Sequence, residues 1–245
     1  MTNLIRADVL KLAKRRSLMA WALVLTTGLT LLFYGWRALQ GIDPLGGTHS
    51  LANLMEGLAV LGGVAAIMVG CAAGAGDLGA GVFRDLVATG RPRLQLYASR
   101  VPAVLALVVP LAVVTALLAA AGASIFAGSE PVPSVALVAK DAAWLAATYA
   151  FVGVLACAVS SAVGSQAISI GLLLGWHIAA SNLLLSATAL GDARWAVPLG
   201  AVDRLQPAST HFLTGMPAGV AVACLIGWVI VSGAAGAWRT ATMDA

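Results

Sequence analysis

Residues 77–100, DLGAGVFRDLVATGRPRLQLYASR, are the only long charged segment between two apolar runs of membrane-spanning length. Val82, Phe83, Leu86 and Val87 recur at offsets of 1, 4 and 5, which places them on one face of a short helix with Arg84 and Asp85 on the other. Gly90 is suited to stop that helix. Pro92 can open the next, because its missing N–H falls among the first-turn donors that a helix leaves unsatisfied. Leu94, Tyr97 and Val101 then carry an apolar stripe into the following run. The segment therefore predicts a helix, a sharp turn and a second helix at a membrane surface on the cytosolic side. On spacing alone, a solvated basic loop that only fixes topology competes with this reading.

The composition defines the surroundings. Of 245 residues, 60% are hydrophobic and only 10% charged, with mean hydropathy +0.95, too few charges to cover a soluble domain. An integral membrane protein is the expectation. The net charge of +4 then reflects arginines beside a bilayer and argues against a nucleic-acid partner. Cys71, Cys157 and Cys224 all lie in apolar runs without metal-ligand spacing, and read as small core residues with no disulfide framework. Arg6, Lys11, Lys14, Arg15 and Arg16 precede a first apolar run of about 20 residues, too long for a cleavable signal, so the first span is expected to stay in the mature protein.

The loop resembles the first cytoplasmic loop of the type-2 permease subunits of ATP-binding-cassette exporters. Members of that family leave their second span through small residues and an acid, then show a glycine, a bulky apolar residue, a basic residue and two aliphatics. Gly74 to Gly76, Asp77, Gly81, Phe83, Arg84, Leu86 and Val87 fit this order. A break follows, then an arginine and, seven residues on, a basic residue entering the third span, matched by Gly90-Arg91-Pro92, Arg93 and Arg100. The chain departs from the pattern at Asp77, where Glu is usual, at Val82 for Thr, at Pro92 for Ser and at Arg100 for Lys. The resemblance implies that Asp77, Gly81, Val82, Phe83, Arg84, Leu86, Val87 and Arg93 couple the chain to an ATPase. It extends to the whole chain through the number and order of spans.

Residues 2–16 read as an amphipathic helix, with Ile5, Val9 and Leu12 on one side and Asp8, Lys11 and Arg15 on another. Lying in the inner interface, it would let Lys11, Lys14, Arg15 and Arg16 meet anionic headgroups. The permeases carry an interfacial elbow helix of this kind. A topogenic basic tail is the competing reading. Spans are expected at 17–36, 53–76, 101–127 with a kink at Pro110, 141–164, 166–186 and 217–238, with Gly164-Ser165 as a tight turn. The second is rich in Gly and Ala, which permits close helix approach. The loop 37–50 is expected outside. Ten Lys/Arg fall inside and Arg37, Lys140, Arg194 and Arg204 outside, so both termini are expected in the cytosol.

The segment 187–216 mixes Trp195, Val197, Leu199, Val202, Leu205 and Phe212 with Asp192, Arg194, Asp203 and Arg204, too long and too apolar for an ordinary connection. Short helices dipping into the outer leaflet fit it, as does a folded external loop. The resemblance implies re-entrant helices here. Glu56 and His177 are the intramembrane ionisable residues to explain, since burying either alone is costly. Glu56, three residues into its expected span, can serve a structural hydrogen bond. His177 can be a satisfied packing residue, and Asn182 an interhelical hydrogen-bonding one. If the second and fifth spans line a central pathway, as the resemblance implies, Glu56, Trp176, His177 and Asn182 are candidates for the substrate surface.

Enzyme readings lack residues. No Gly-x-Ser-Gly setting exists for an intramembrane serine protease, the ten acids are scattered rather than clustered for a divalent metal, and no phosphate loop ends in Lys-Ser or Lys-Thr. The expectation is an all-α protein of six transmembrane helices with an elbow helix, a coupling helix and re-entrant helices, forming one permease domain over 1–245. It would bind no cofactor itself, ATP and Mg sitting on two cytosolic ATPase subunits, and would pair with a second permease copy or relative in a prokaryotic plasma membrane. The cargo expected from a charge-poor pathway is hydrophobic or amphipathic, a drug, peptide or lipid. A non-transporting interaction, immunity or sensor protein is the alternative.

Overall fold

The computed structural model describes residues 1–41, 46–79, 81, 90, 92–207, 213 and 215–242. These form helices and turns, with no strand among them. Helix α1 is Thr2–Ala13. Six helices are long and apolar enough to cross a membrane: α2 (Arg16–Gln40), α3 (Gly47–Gly79), α4 (Arg93–Ile125), α5 (Val135–Val163), α6 (Gln166–Ser186) and α8 (Ala218–Thr242). A 3₁₀ segment, Thr188–Ala196, and the short helix α7, Pro198–Arg204, lie between α6 and α8.

The spans are longer than the apolar runs that announce them. The expected bounds 53–76, 101–127 and 141–164 give way to helices that begin at Gly47, Arg93 and Val135, and the first and last spans reach Gln40 and Thr242. Only 166–186 keeps its bounds. Hydropathy marks the stretch that needs an apolar solvent, whereas a helix continues for as long as its backbone and polar side chains stay satisfied. The expected outer loop 37–50 shrinks accordingly, and α4 runs without interruption through Pro102 and Pro110.

Helix α3 is the centre. In its most apolar stretch 78% of residues are buried, against 28%, 22% and 11% in α2, α6 and α8, which therefore present most of their surface outward. Helices α3 and α5 pack along their whole length and run parallel. The Tyr149 hydroxyl donates to the Leu58 carbonyl at 3.0 Å, the Ser160 hydroxyl to Cys71 at 3.1 Å and the Ser161 hydroxyl to Gly74 at 3.2 Å, a near-constant separation along the chain. Small residues allow this approach. A side chain at Gly70 would strike the backbone of Gly153, and one at Gly74 the backbone of Cys157. Cys71 and Cys157 are buried in this seam. Helix α4 covers its flank, with Val104 and Val108 against Gly153.

At the start of α4, Pro92 caps the helix in an extended conformation. Leu96 is buried while Leu94 is exposed, so the inward stripe is shifted from the one expected, and the Tyr97 hydroxyl reaches the Gly233 carbonyl of α8 at 3.1 Å. Between α5 and α6 the chain reverses at Gly164, whose φ of 78° favours glycine, and the Ser165 side chain caps α6. At that bundle end the Arg239 guanidinium of α8 donates to the Ala162 carbonyl and Arg93 to Ala241, so basic residues of α1, α4 and α8 gather at one end. At the opposite end, the Trp144 indole donates to Val202 at 2.9 Å and the Gln206 amide to Ala52 at 3.2 Å, fastening α7 over α3 and α5.

Candidate functional site

The charged root of the 80–91 segment is the most organised polar site in the described chain. Asp77 closes the last turns of α3 and Arg100 lies two turns inside α4, 5% and 3% exposed respectively. Their charges meet at 3.7 Å. Arg100 also donates to the Gly74 carbonyl at 2.6 Å and lies 3.4 Å from the Ser161 hydroxyl, so one guanidinium joins α3, α4 and α5. Lys11 of α1 forms an ion pair with the other oxygen of Asp77, and the Ser99 hydroxyl donates to Asp8 at 2.7 Å. Burial pulls the Lys11 ammonium below its ordinary pKa, and the Asp8 carboxylate opposes that pull. The local sequence sets this up, because Asp8, Lys11 and Leu12 share one face of α1 and Leu12 is buried beneath the pairs.

Lys11, expected to meet headgroups, stays exposed and also pairs with Asp77, a partner that its own helix does not announce. Lys14 and Arg16 are exposed, and Arg15, partly buried, precedes α2 in a non-helical conformation (φ −76°, ψ 82°) at the bend after α1. Gly81 and Gly90 both have positive φ, 70° and 80°. Val82, Phe83, Arg84, Leu86 and Val87 lie outside the described residues. Arg93 begins α4 and reaches the Ala241 carbonyl at 3.4 Å.

The four pathway candidates separate. His177 sits in a π-helical segment of α6, Gly175–Ala180, and its Nε2 lies 3.1 Å from the Val60 carbonyl of α3. Gly63 makes the room, since a side chain there would press on the imidazole ring. Trp176 and His177 line a small cavity of about 40 Å³ with Thr148, Ser181 and Val202. Trp176 also packs on Trp228 of α8, with ring centroids 5.9 Å apart. Asn182 is exposed and donates to Ile178 of its own helix at 2.8 Å, and among the described residues it joins no second helix. Glu56 is exposed and lies nine residues past the start of α3. It shares a face with Asn53 and His49, whose side chains are 3.3 Å apart, and has no partner among the described residues. Its carboxylate therefore needs a cavity, an interface or a second chain.

Two features were not anticipated. Ser99 and Ser161 complete the charged cluster, yet a serine in an apolar run gives no sign of its partner. Asp141 is 3% exposed, with one carboxylate oxygen lacking a hydrogen bond; it is the only acid in its helix, a signal the sequence did carry. Among the described residues no group of three His, Cys, Asp or Glu could hold a metal ion. Comparison of the chain with known protein families finds no match, and comparison with curated proteins finds none either.

Proposed function

We propose that the chain is the membrane-spanning permease of an ATP-driven exporter, working with a second permease copy or relative and two cytosolic ATP-binding subunits. The observation that carries the reading is the Lys11–Asp77–Arg100 cluster at the root of the 80–91 segment. A segment rooted in a buried carboxylate whose ion pairs also hold α1 and, through Arg100 and Ser161, α5 can pass a push on to several spans as a rigid-body movement. In this reading α1 is the elbow helix, the 80–91 segment carries the residues that meet the ATPase, and the 3₁₀ segment with α7 is the outer re-entrant element. The basic end and both termini face the cytosol of a prokaryotic cell. Glu56 and the α6 segment around His177 face the cargo path.

The test is association with the ATPase. Phe83 is the largest apolar side chain of its segment, and truncating such an aromatic at an interface costs about 2 kcal/mol, roughly a 30-fold loss of affinity. Phe83→Ala should lose the co-purifying ATP-binding subunit or uncouple its hydrolysis from transport, Leu86→Ala should do so more mildly, and Arg84→Ala least. Wild-type association and transport in Phe83→Ala would leave the loop as a topological marker and remove the main support for export.

A further inference from the structure

The bend between α1 and α2 creates an open groove of about 360 Å³ that the export reading does not use. Arg15 comes from the bend, Ser17, Leu18 and Trp21 from the first turns of α2, Met68 and Ala72 from α3, and Gln166 from the start of α6. Polarity is sorted along the helix axes. Arg15, Ser17 and Gln166 stand at the basic end, and Trp21 and Met68 lie one to two turns deeper.

Arg15 is the telling residue. Its guanidinium lies against Gly76, partly buried, and makes no hydrogen bond or ion pair with any described residue. The nearby carboxylates are taken, Asp77 by Lys11 and Arg100 and Asp8 by Ser99. A partly buried guanidinium with no carboxylate partner among the described residues is suited to an anion, and its planar donors suit a phosphate. The apolar floor of Leu18, Trp21 and Met68 favours a phosphate that carries an acyl chain over a free one. Because α2 is long and apolar enough to span a membrane, that floor opens toward acyl chains.

We propose that this groove binds one anionic phospholipid, its phosphate at Arg15, Ser17 and Gln166 and its chain along Leu18, Trp21 and Met68. The proposal rests on the membrane-spanning architecture and is independent of the export reading, since it needs no ATPase.

The experiment titrates the purified chain in detergent with phosphatidylglycerol brominated in its acyl chains. Trp21 emission is isolated as the difference between the wild-type protein and Trp21→Phe. A saturable loss of that emission is expected, with brominated phosphatidylcholine binding about fivefold more weakly, the equivalent of one basic residue at an anionic surface. Arg15→Gln should abolish the preference, Ser17→Ala should weaken it, Lys14→Gln should leave it intact, and inorganic phosphate should not reverse the quenching. Quenching that does not saturate, equal affinity for the two lipids, or an unchanged preference in Arg15→Gln would each overturn the proposal, as would reversal by inorganic phosphate.

Discussion

Arg100 stands 3.7 Å from the Asp77 carboxylate while donating at 2.6 Å to the carbonyl of Gly74, one turn earlier on the same helix. The end of α3 and the start of α4 are therefore held by a single guanidinium, and the segment between them leaves from fixed points. Lys11 pairs with the same carboxylate from the more exposed side.

Removing one partner from a buried pair leaves an uncompensated charge and costs about 3–5 kcal/mol, whereas a partly exposed partner contributes far less. Arg100→Met should therefore lower the thermal midpoint of the detergent-purified protein much more than Lys11→Ala. Because the two residues share a network, Asp77→Asn combined with Arg100→Met should be less damaging than the sum of the single changes. Additive losses would show that the pair is not energetically coupled.

The α3–α5 seam makes a sharper distinction among glycines. Gly74→Val would drive a branched side chain into the α5 backbone and should abolish stable expression, while Gly57, with open space around it, should accept alanine with unchanged or slightly raised stability. Fluorescence-detected gel filtration of both variants checks this. A monodisperse Gly74→Val protein would refute the close packing.

His177 is held by the Val60 carbonyl yet borders the cavity, so packing and pathway roles predict different outcomes. In the pathway reading, His177→Ala lowers transport more than it lowers assembly, and His177→Gln, which can keep a hydrogen bond to Val60, recovers stability without full transport. A less stable His177→Ala protein whose surviving complexes turn over normally would mark the residue as packing alone.

Side-specific labelling tests the orientation. Cysteine placed at position 90 should react only from the cytosolic side, and cysteine at position 192 only from outside, in a background lacking Cys71, Cys157 and Cys224. External labelling of position 90 would sink the exporter architecture, since an ATPase could not reach the 80–91 segment.

The sequence by itself determined that the chain is helical and crosses the membrane repeatedly, because apolar runs of about 20 residues have few other solutions in a bilayer. It located six spans and the charged segment between the second and third, and its Gly and Ala foretold close packing of α3. Span ends were less legible. A helix opening after Pro92 was legible, but the burial of Arg100 within it was not, because Arg100 finds its partners in Asp77, Gly74 and Ser161. The pairing of Lys11 was equally hidden, since its carboxylate partner lies 66 residues away, at Asp77. Asn182 could have bridged helices, and only the rotation of α6 turned it outward onto its own backbone. Tertiary structure decided these points because hydropathy records how much a residue dislikes water, whereas the fate of a charge or amide in a membrane depends on which distant group is brought within hydrogen-bonding reach.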